Sequence, residues 1–139
     1  MIQLPRSVTR RPSAEGYGEG VAVIGIEGAV RVLVAAKPVD FRKGMDGLAA
    51  LVQQQLGADP FSGVIYVFRS KRADRVKLLH WDGTGLVLIA KRLEAGQFRW
   101  PAIRDGVIRL TPAQLSALVE GLDWTRVRGV RVSRPTSAS

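Results

Sequence analysis

Residues 63–92, GVIYVFRSKRADRVKLLHWDGTGLVLIAKR, place three apolar runs and seven basic side chains in one short segment. Val64–Phe68 is a β-branched and aromatic run preceded by Asp59, Pro60, Ser62 and Gly63, which predicts a turn and then a strand. Arg75–Trp81 and Leu86–Arg92 flank Asp82, Gly83, Thr84 and Gly85, the composition of a hairpin turn. With an even loop, odd positions on the first arm share a face with even positions on the second. One face then carries Val76, Leu78, His80, Val87 and Ile89 and reads as core. The other carries Arg75, Lys77, Leu79, Trp81, Leu86, Leu88 and Arg92. It is basic far from the turn and apolar near it, as expected of a surface partly covered by a helix or a partner.

Upstream, Val30, Val32, Leu33 and Val34 within Ala29–Ala36 give a β-branched run stopped by Lys37 and Pro38, which predicts another strand. The stretch DFRKGMDGLAALVQQQLG follows, with Asp40 as the expected cap of an amphipathic helix. Its apolar stripe is Met45, Leu48, Ala49, Val52 and Leu56, and Gly57 is the stop. Gly44 and Gly47 each weaken a helix by about 1 kcal/mol relative to alanine, so a close approach of some other group is expected there. Downstream, Gln97–Trp100 ends at Pro101, and Val107–Leu110 predicts a last short strand. Thr111, Pro112 and Gln114 then form a capping box with proline at the first helical position, and Leu110 is placed to staple onto Leu115. Leu115, Leu118, Val119 and Leu122 are the expected buried stripe of this second helix.

These elements predict a small α+β fold, an antiparallel sheet of four or five strands with two helices packed on it. The domain is expected over residues 30–124. Residues 1–29 mix Arg10, Arg11, Pro12 and Ser13 with a glycine ladder and read as a mostly disordered extension in which Val21–Ile26 is at best a marginal strand. Residues 125–139 read as a flexible basic tail.

A chain of 139 residues, 46% of them hydrophobic, builds one core rather than two. It has no cysteine and one histidine, so disulfides, thiolate metal sites and His-ligated zinc are not expected, nor is any cofactor or small-molecule substrate. No run approaches the roughly 18 apolar residues of a membrane span, and the Met1 end lacks the apolar region of a secretory leader; no membrane partner and a cytoplasmic location are expected. The formal charge of +9 is the strongest compositional signal, because so basic a protein attracts polyanions, or else merely stays soluble. Residues 30–124 hold fourteen basic against nine acidic groups, whereas residues 1–29 balance at three of each.

Three constellations carry candidate chemistry. Arg69, Lys71, Arg72, Arg75, Lys77, Lys91 and Arg92, with Trp81 and Tyr66 nearby, combine phosphate-neutralising cations with rings able to stack a base. The alternative is a sheet edge charged to prevent aggregation. Arg42 and Lys43, placed in the first turn of the first helix beside Gly44, either hold a phosphate or pair with Asp46. Asp40, Asp46, Asp82, Glu94, Glu120 and Asp123 include the carboxylates a two-metal nuclease needs, yet their spacing does not point to a metal. Asp40 is better explained as a cap, Asp82 as a turn residue, and His80 as a satisfied core histidine. No catalytic residue and no enzymatic activity are expected.

The succession VDFRKGMDGLAALV, DPFSGVIYVFRSKRADRVKLLHWDGTGLVLIAKRLEAGQFRWP and LTPAQLSALVEGLDW resembles the TnpB accessory proteins of the sixty-six family of bacterial insertion sequences. These are unrelated to the RNA-guided nuclease that shares the letters. The resemblance spans about residues 28–124, and the chain departs from it by the residues between Pro5 and Val30. It implies a part in transposition beside a separate, element-encoded DDE transposase that performs the strand chemistry. DNA is the expected partner, contacted through the basic positions above. The other reading is an adaptor that docks the transposase through Trp81, Leu79 and Leu88.

Overall fold

The structure is a computed structural model that describes residues 30–104 and 106–127. The expected extension at 1–29, its marginal strand, and residues 128–139 of the expected tail lie outside the described residues. Strand β1 (Val32–Ala35) leads to helix α1 (Met45–Gln55), strands β2 (Ile65–Arg69), β3 (Arg75–Trp81), β4 (Leu86–Arg92) and β5 (Val107–Leu110), helix α2 (Pro112–Val119), and one 3₁₀ turn at Trp124–Arg126. The strands form one sheet in the order β4-β3-β2-β1-β5. No helix among the described residues is long and apolar enough to cross a membrane.

The α+β expectation holds, with two helices and five strands among the described residues. One pairing departs from the antiparallel arrangement: β1 and β2 run parallel, with Val32 opposite Ile65 and Val34 opposite Val67. Parallel neighbours need a long crossover, and the segment carrying α1 supplies it. The remaining pairs are antiparallel. The hairpin register puts Leu78 opposite Ile89, Leu79 opposite Leu88 and Trp81 opposite Leu86, as the even loop requires.

The two helices cover opposite faces of the sheet. Val32, Val34, Ile65, Val67, Val76 and Leu78 point to a core closed by Leu115, Leu118, Phe98 and Trp124. Ala35, Tyr66, Phe68 and Leu79 point the other way, onto Leu48, Leu51 and Val52 of α1. Central strand β2 is therefore buried on both sides from Ile65 to Phe68, which is why its sequence is a continuous apolar run rather than an alternating one. The segment after β4 lies on the α2 side and is fixed by two tryptophans, its own Trp100 and Trp124 of the 3₁₀ turn: Trp100 Nε1 donates to Ala35 O at 2.8 Å, and Trp124 Nε1 to Arg99 O at 2.6 Å.

Helix α2 begins as its sequence predicts. The Thr111 hydroxyl accepts from Gln114 N at 3.0 Å, and Gln114 Oε1 accepts from Thr111 N at 2.9 Å. Leu122, however, is 57% exposed. The helix ends at Val119, and Gly121 at φ 81° turns the chain before Leu122 can join the stripe.

Helix α1 starts later than expected, because Asp40 is not its cap. Gly44 occupies that position without a side-chain hydrogen bond. The Asp40 carboxylate instead accepts from Arg42 N at 2.9 Å and from the Arg42 guanidinium at 2.8 and 3.0 Å, closing a local turn. Arg42 and Lys43 consequently precede the helix rather than occupy its first turn. The glycines do not mark a close approach by another element: a Cβ at Gly44 meets nothing within 4 Å, and one at Gly47 meets only the Lys43 stem. At Gly57 the expectation holds, with φ 61° directly after the helix.

Replacing Thr111 by alanine is expected to lower stability by about 1 kcal/mol, read as a fall of several degrees in thermal midpoint. Asp40→Ala should leave the midpoint nearly unchanged, since its carboxylate serves an exposed turn and no helix amide.

Candidate nucleic-acid interface

The turn joining β2 to β3 is tied down from several sides. Ser70, which is buried, donates through Oγ to Asp74 Oδ1 at 3.1 Å and accepts from Arg75 N at 3.1 Å. Phe98 N donates to Ala73 O at 2.7 Å, and Gln97 Nε2 to Arg72 O at 2.7 Å. Ala73 is held at φ 60°, a conformation an alanine keeps only where its surroundings enforce it. Lys71 and Arg72, both exposed, thus project from a braced turn.

The seven basic residues of the hairpin region divide into two groups. Arg69, Lys77 and Lys91 are spent on backbone carbonyls. Lys77 Nζ donates to Phe41 O and Lys43 O, each at 2.9 Å, pinning the loop before α1 to β3. Lys91 Nζ donates to Val119 O at 2.7 Å, where a cation also suits the helix C-terminus. Arg69 Nε reaches Ala36 O at 3.4 Å. Lys71, Arg72, Arg75 and Arg92 are exposed and have no carboxylate partner; among the described residues the ion pairs are Arg42–Asp40 and Arg126–Asp123.

Arg75 and Arg92 stand directly opposite each other in the β3–β4 register. Lys91, on the alternate face, is directed to α2 instead. Arg42, its side chain 90% exposed, belongs to the same end of the sheet, because its neighbour Phe41 lies beneath Arg75 and Lys77. The Arg42 guanidinium beside Asp40 holds that carboxyl well below the usual carboxylate range. Lys43 is half-buried at the entry to α1.

The aromatic residues are distributed differently from the sequence expectation. Tyr66 is 2% exposed, with its hydroxyl donating to Asp59 O at 3.0 Å, so its ring has no free face for a base. Trp81 is half-buried at the far end of β3, about 20 Å from Arg75 at the rise of a strand, and packs edge-to-face with Phe61. The ring beside the cations is Phe41. The Arg75 guanidinium carbon lies 5.7 Å from its centroid and Lys77 Nζ 4.8 Å. Its position in DFRKG, next to two basic residues, was the available signal.

No three His, Asp or Glu side chains among the described residues gather into a group able to hold a metal ion. His80 is buried, but it is not fully satisfied: Nδ1 has no hydrogen-bond partner among the described residues. Burial pushes its pKa below the ordinary value, against the upward pull of the Asp82 carboxylate and of the Val64 and Gly63 backbone.

Two measurements follow from this arrangement. Lys77→Met should destabilise the fold by about 2 kcal/mol, because it strands two carbonyls, whereas Arg72→Ala should stay within about 0.5 kcal/mol of the parent. As pH falls through about 6.5 the unfolded chain protonates its histidine before the folded one does, so the stability due to neutral His80 is complete above that pH and lost below it. Thermal midpoints should therefore decline from pH 7.5 to 5.5, and His80→Phe should flatten that decline.

Residues 30–129 match the family described as IS66 Orf2 like protein. In Sinorhizobium fredii (strain NBRC 101917 / NGR234), the uncharacterized protein y4jC is 50% identical over 117 residues, covering 84% of this chain and 100% of y4jC. The uncharacterized protein y4hO of the same strain is 42% identical over 95 residues, covering 68% of this chain and 83% of y4hO. No solved structure matches. The matched region runs from the start of the first strand past the 3₁₀ turn, and the chain therefore belongs to the IS66 Orf2-like family, which has an accessory role associated with transposition.

Proposed function

We propose that the protein is a non-catalytic transposition factor that binds DNA through the basic end of its sheet, with Arg75, Arg92, Lys71 and Arg72 as phosphate contacts. The observation that carries this reading is the Arg75–Arg92 pair. Like charges directly opposite on neighbouring strands have Cβ atoms about 5 Å apart and destabilise the sheet. Here both are exposed and neither has a carboxylate partner among the described residues. A phosphate bridging them converts that repulsion into two charge-assisted contacts and releases counterions. A solvated edge needs charge too, but it has no need of two arginines face to face. Lys77 and Lys91 stand outside the proposed contact set because their ammonium groups are engaged within the fold.

A second reading, an adaptor that docks the element's transposase, draws on a different corner. Leu79 is 0% exposed under α1, so the apolar surface left near it is half-buried Leu88 and Trp81 with Phe61, which is 49% exposed. Capture of the transposase that is lost in Phe61→Ser, together with no DNA binding at low salt, would favour this reading.

Duplex binding across a salt series tests the first reading. The Arg75→Ala/Arg92→Ala protein should bind DNA more weakly, with a slope of log K on log salt smaller by about 2, while its thermal midpoint stays level or rises. An unchanged slope in a folded double variant would remove this surface from the interface.

A further inference from the structure

Between the loop Pro38–Phe41 and the turn at Ser70 and Lys71 lies an open cleft of about 390 Å³, bounded by Arg75. We propose that this cleft receives one unpaired nucleotide, its base against Phe41 and its phosphate at Lys71 and Arg75, so that the protein favours DNA carrying a single-stranded end over fully paired duplex. The proposal rests on the DNA-binding reading above and specifies the form of DNA recognised.

The size of the cleft lies in the range of small-ligand sites, roughly 300–1,000 Å³, which suits a single nucleotide and is far too small for a duplex. Its lining combines the two features that single-strand sites share, an aromatic ring and unpaired cations. Phe41 is half-buried, with the Arg75 guanidinium 5.7 Å from its centroid. Lys71 and Arg75 lack a carboxylate partner among the described residues. Asp40, the carboxylate in the lining, is already neutralised by the Arg42 guanidinium, so the cleft presents a net positive field to a phosphate.

Both walls are held by hydrogen bonds within the fold. Val39 N donates to Arg69 O at 3.0 Å, and Lys77 Nζ holds the carbonyls of Phe41 and Lys43. The opposite wall is the turn braced by Ser70 and Asp74. A cleft braced in this way binds with a smaller ordering cost. An overhanging nucleotide enters it without breaking a base pair, whereas one taken from within a duplex must first be unpaired and extruded.

The test compares anisotropy titrations of the full chain with three labelled DNAs: a blunt duplex, the same duplex with a short single-stranded overhang, and that overhang made abasic. The overhang should bind roughly 10-fold tighter than the blunt duplex, and the abasic overhang should lose that gain. Phe41→Leu should abolish the preference, bringing overhang affinity down to that of the blunt duplex. Should Phe41→Leu fail to fold, Lys71→Glu, on an exposed side chain, should abolish the preference in its place. Ultraviolet cross-linking of a 5-iododeoxyuridine in the overhang should map to residues 38–41 or 70–75. Equal binding of all three DNAs, or cross-links confined elsewhere, would overturn the cleft while leaving duplex binding intact. Absence of binding to any of them at low salt would overturn both readings.

Discussion

The rest of the structure depends on the burial of β2 on both faces. Ile65 and Val67 face one core and Tyr66 and Phe68 the other, all at 2% exposure or less. A strand of that kind cannot sit in a sheet with one face in water; it requires cover on each side. Helix α1 supplies one cover as part of the parallel crossover between β1 and β2. Helix α2, with the tryptophan-pinned segment around Phe98 and Trp100, supplies the other.

That arrangement also determines what happens to the charge. Covering both faces brings helices and loops over strand positions occupied by basic residues. A cation under such a cover has to find an acceptor or be left desolvated. Lys77 and Lys91 find backbone carbonyls, one on each side of the sheet, and so become clamps for the elements above them. The residues beyond the covers, Arg75 and Arg92 at the strand ends and Lys71 and Arg72 in the turn, stay in solvent and form no ion pair with a carboxylate among the described residues. Basic residues close together in sequence are thereby sorted into structural and available ones by whether a backbone carbonyl lies within reach, independently of residue type. The available ones converge at one end of the sheet, next to Phe41, which the loop before α1 carries there.

The hairpin was legible in the sequence because its two arms alternate around a loop of even length, and period-two patterning allows one register that buries both apolar sets. Helix α2 was legible at its start because Thr111, Pro112 and Gln114 each supply a local cap interaction that needs no tertiary partner. Its end was not, because Leu122 fits the stripe in spacing and is excluded by the backbone reversal at Gly121. The cap of α1 is not legible for a related reason. Asp40 has the chemistry of a cap, but Arg42 lies two residues away and takes both of its oxygens.

By itself the sequence determined the α+β class, the strands and helices, the hairpin faces and a basic surface near residues 69–92, since all of these follow from short-range periodicity, capping and composition. Only the tertiary structure decided that β1 and β2 are parallel, that the helices lie on opposite faces, which cations remain available, and that Phe41 rather than Trp81 or Tyr66 is the ring beside them. Those outcomes depend on contacts between residues far apart in the chain, such as Lys77 with Phe41 and Lys91 with Val119, and local patterns along a single segment carry no record of such pairings.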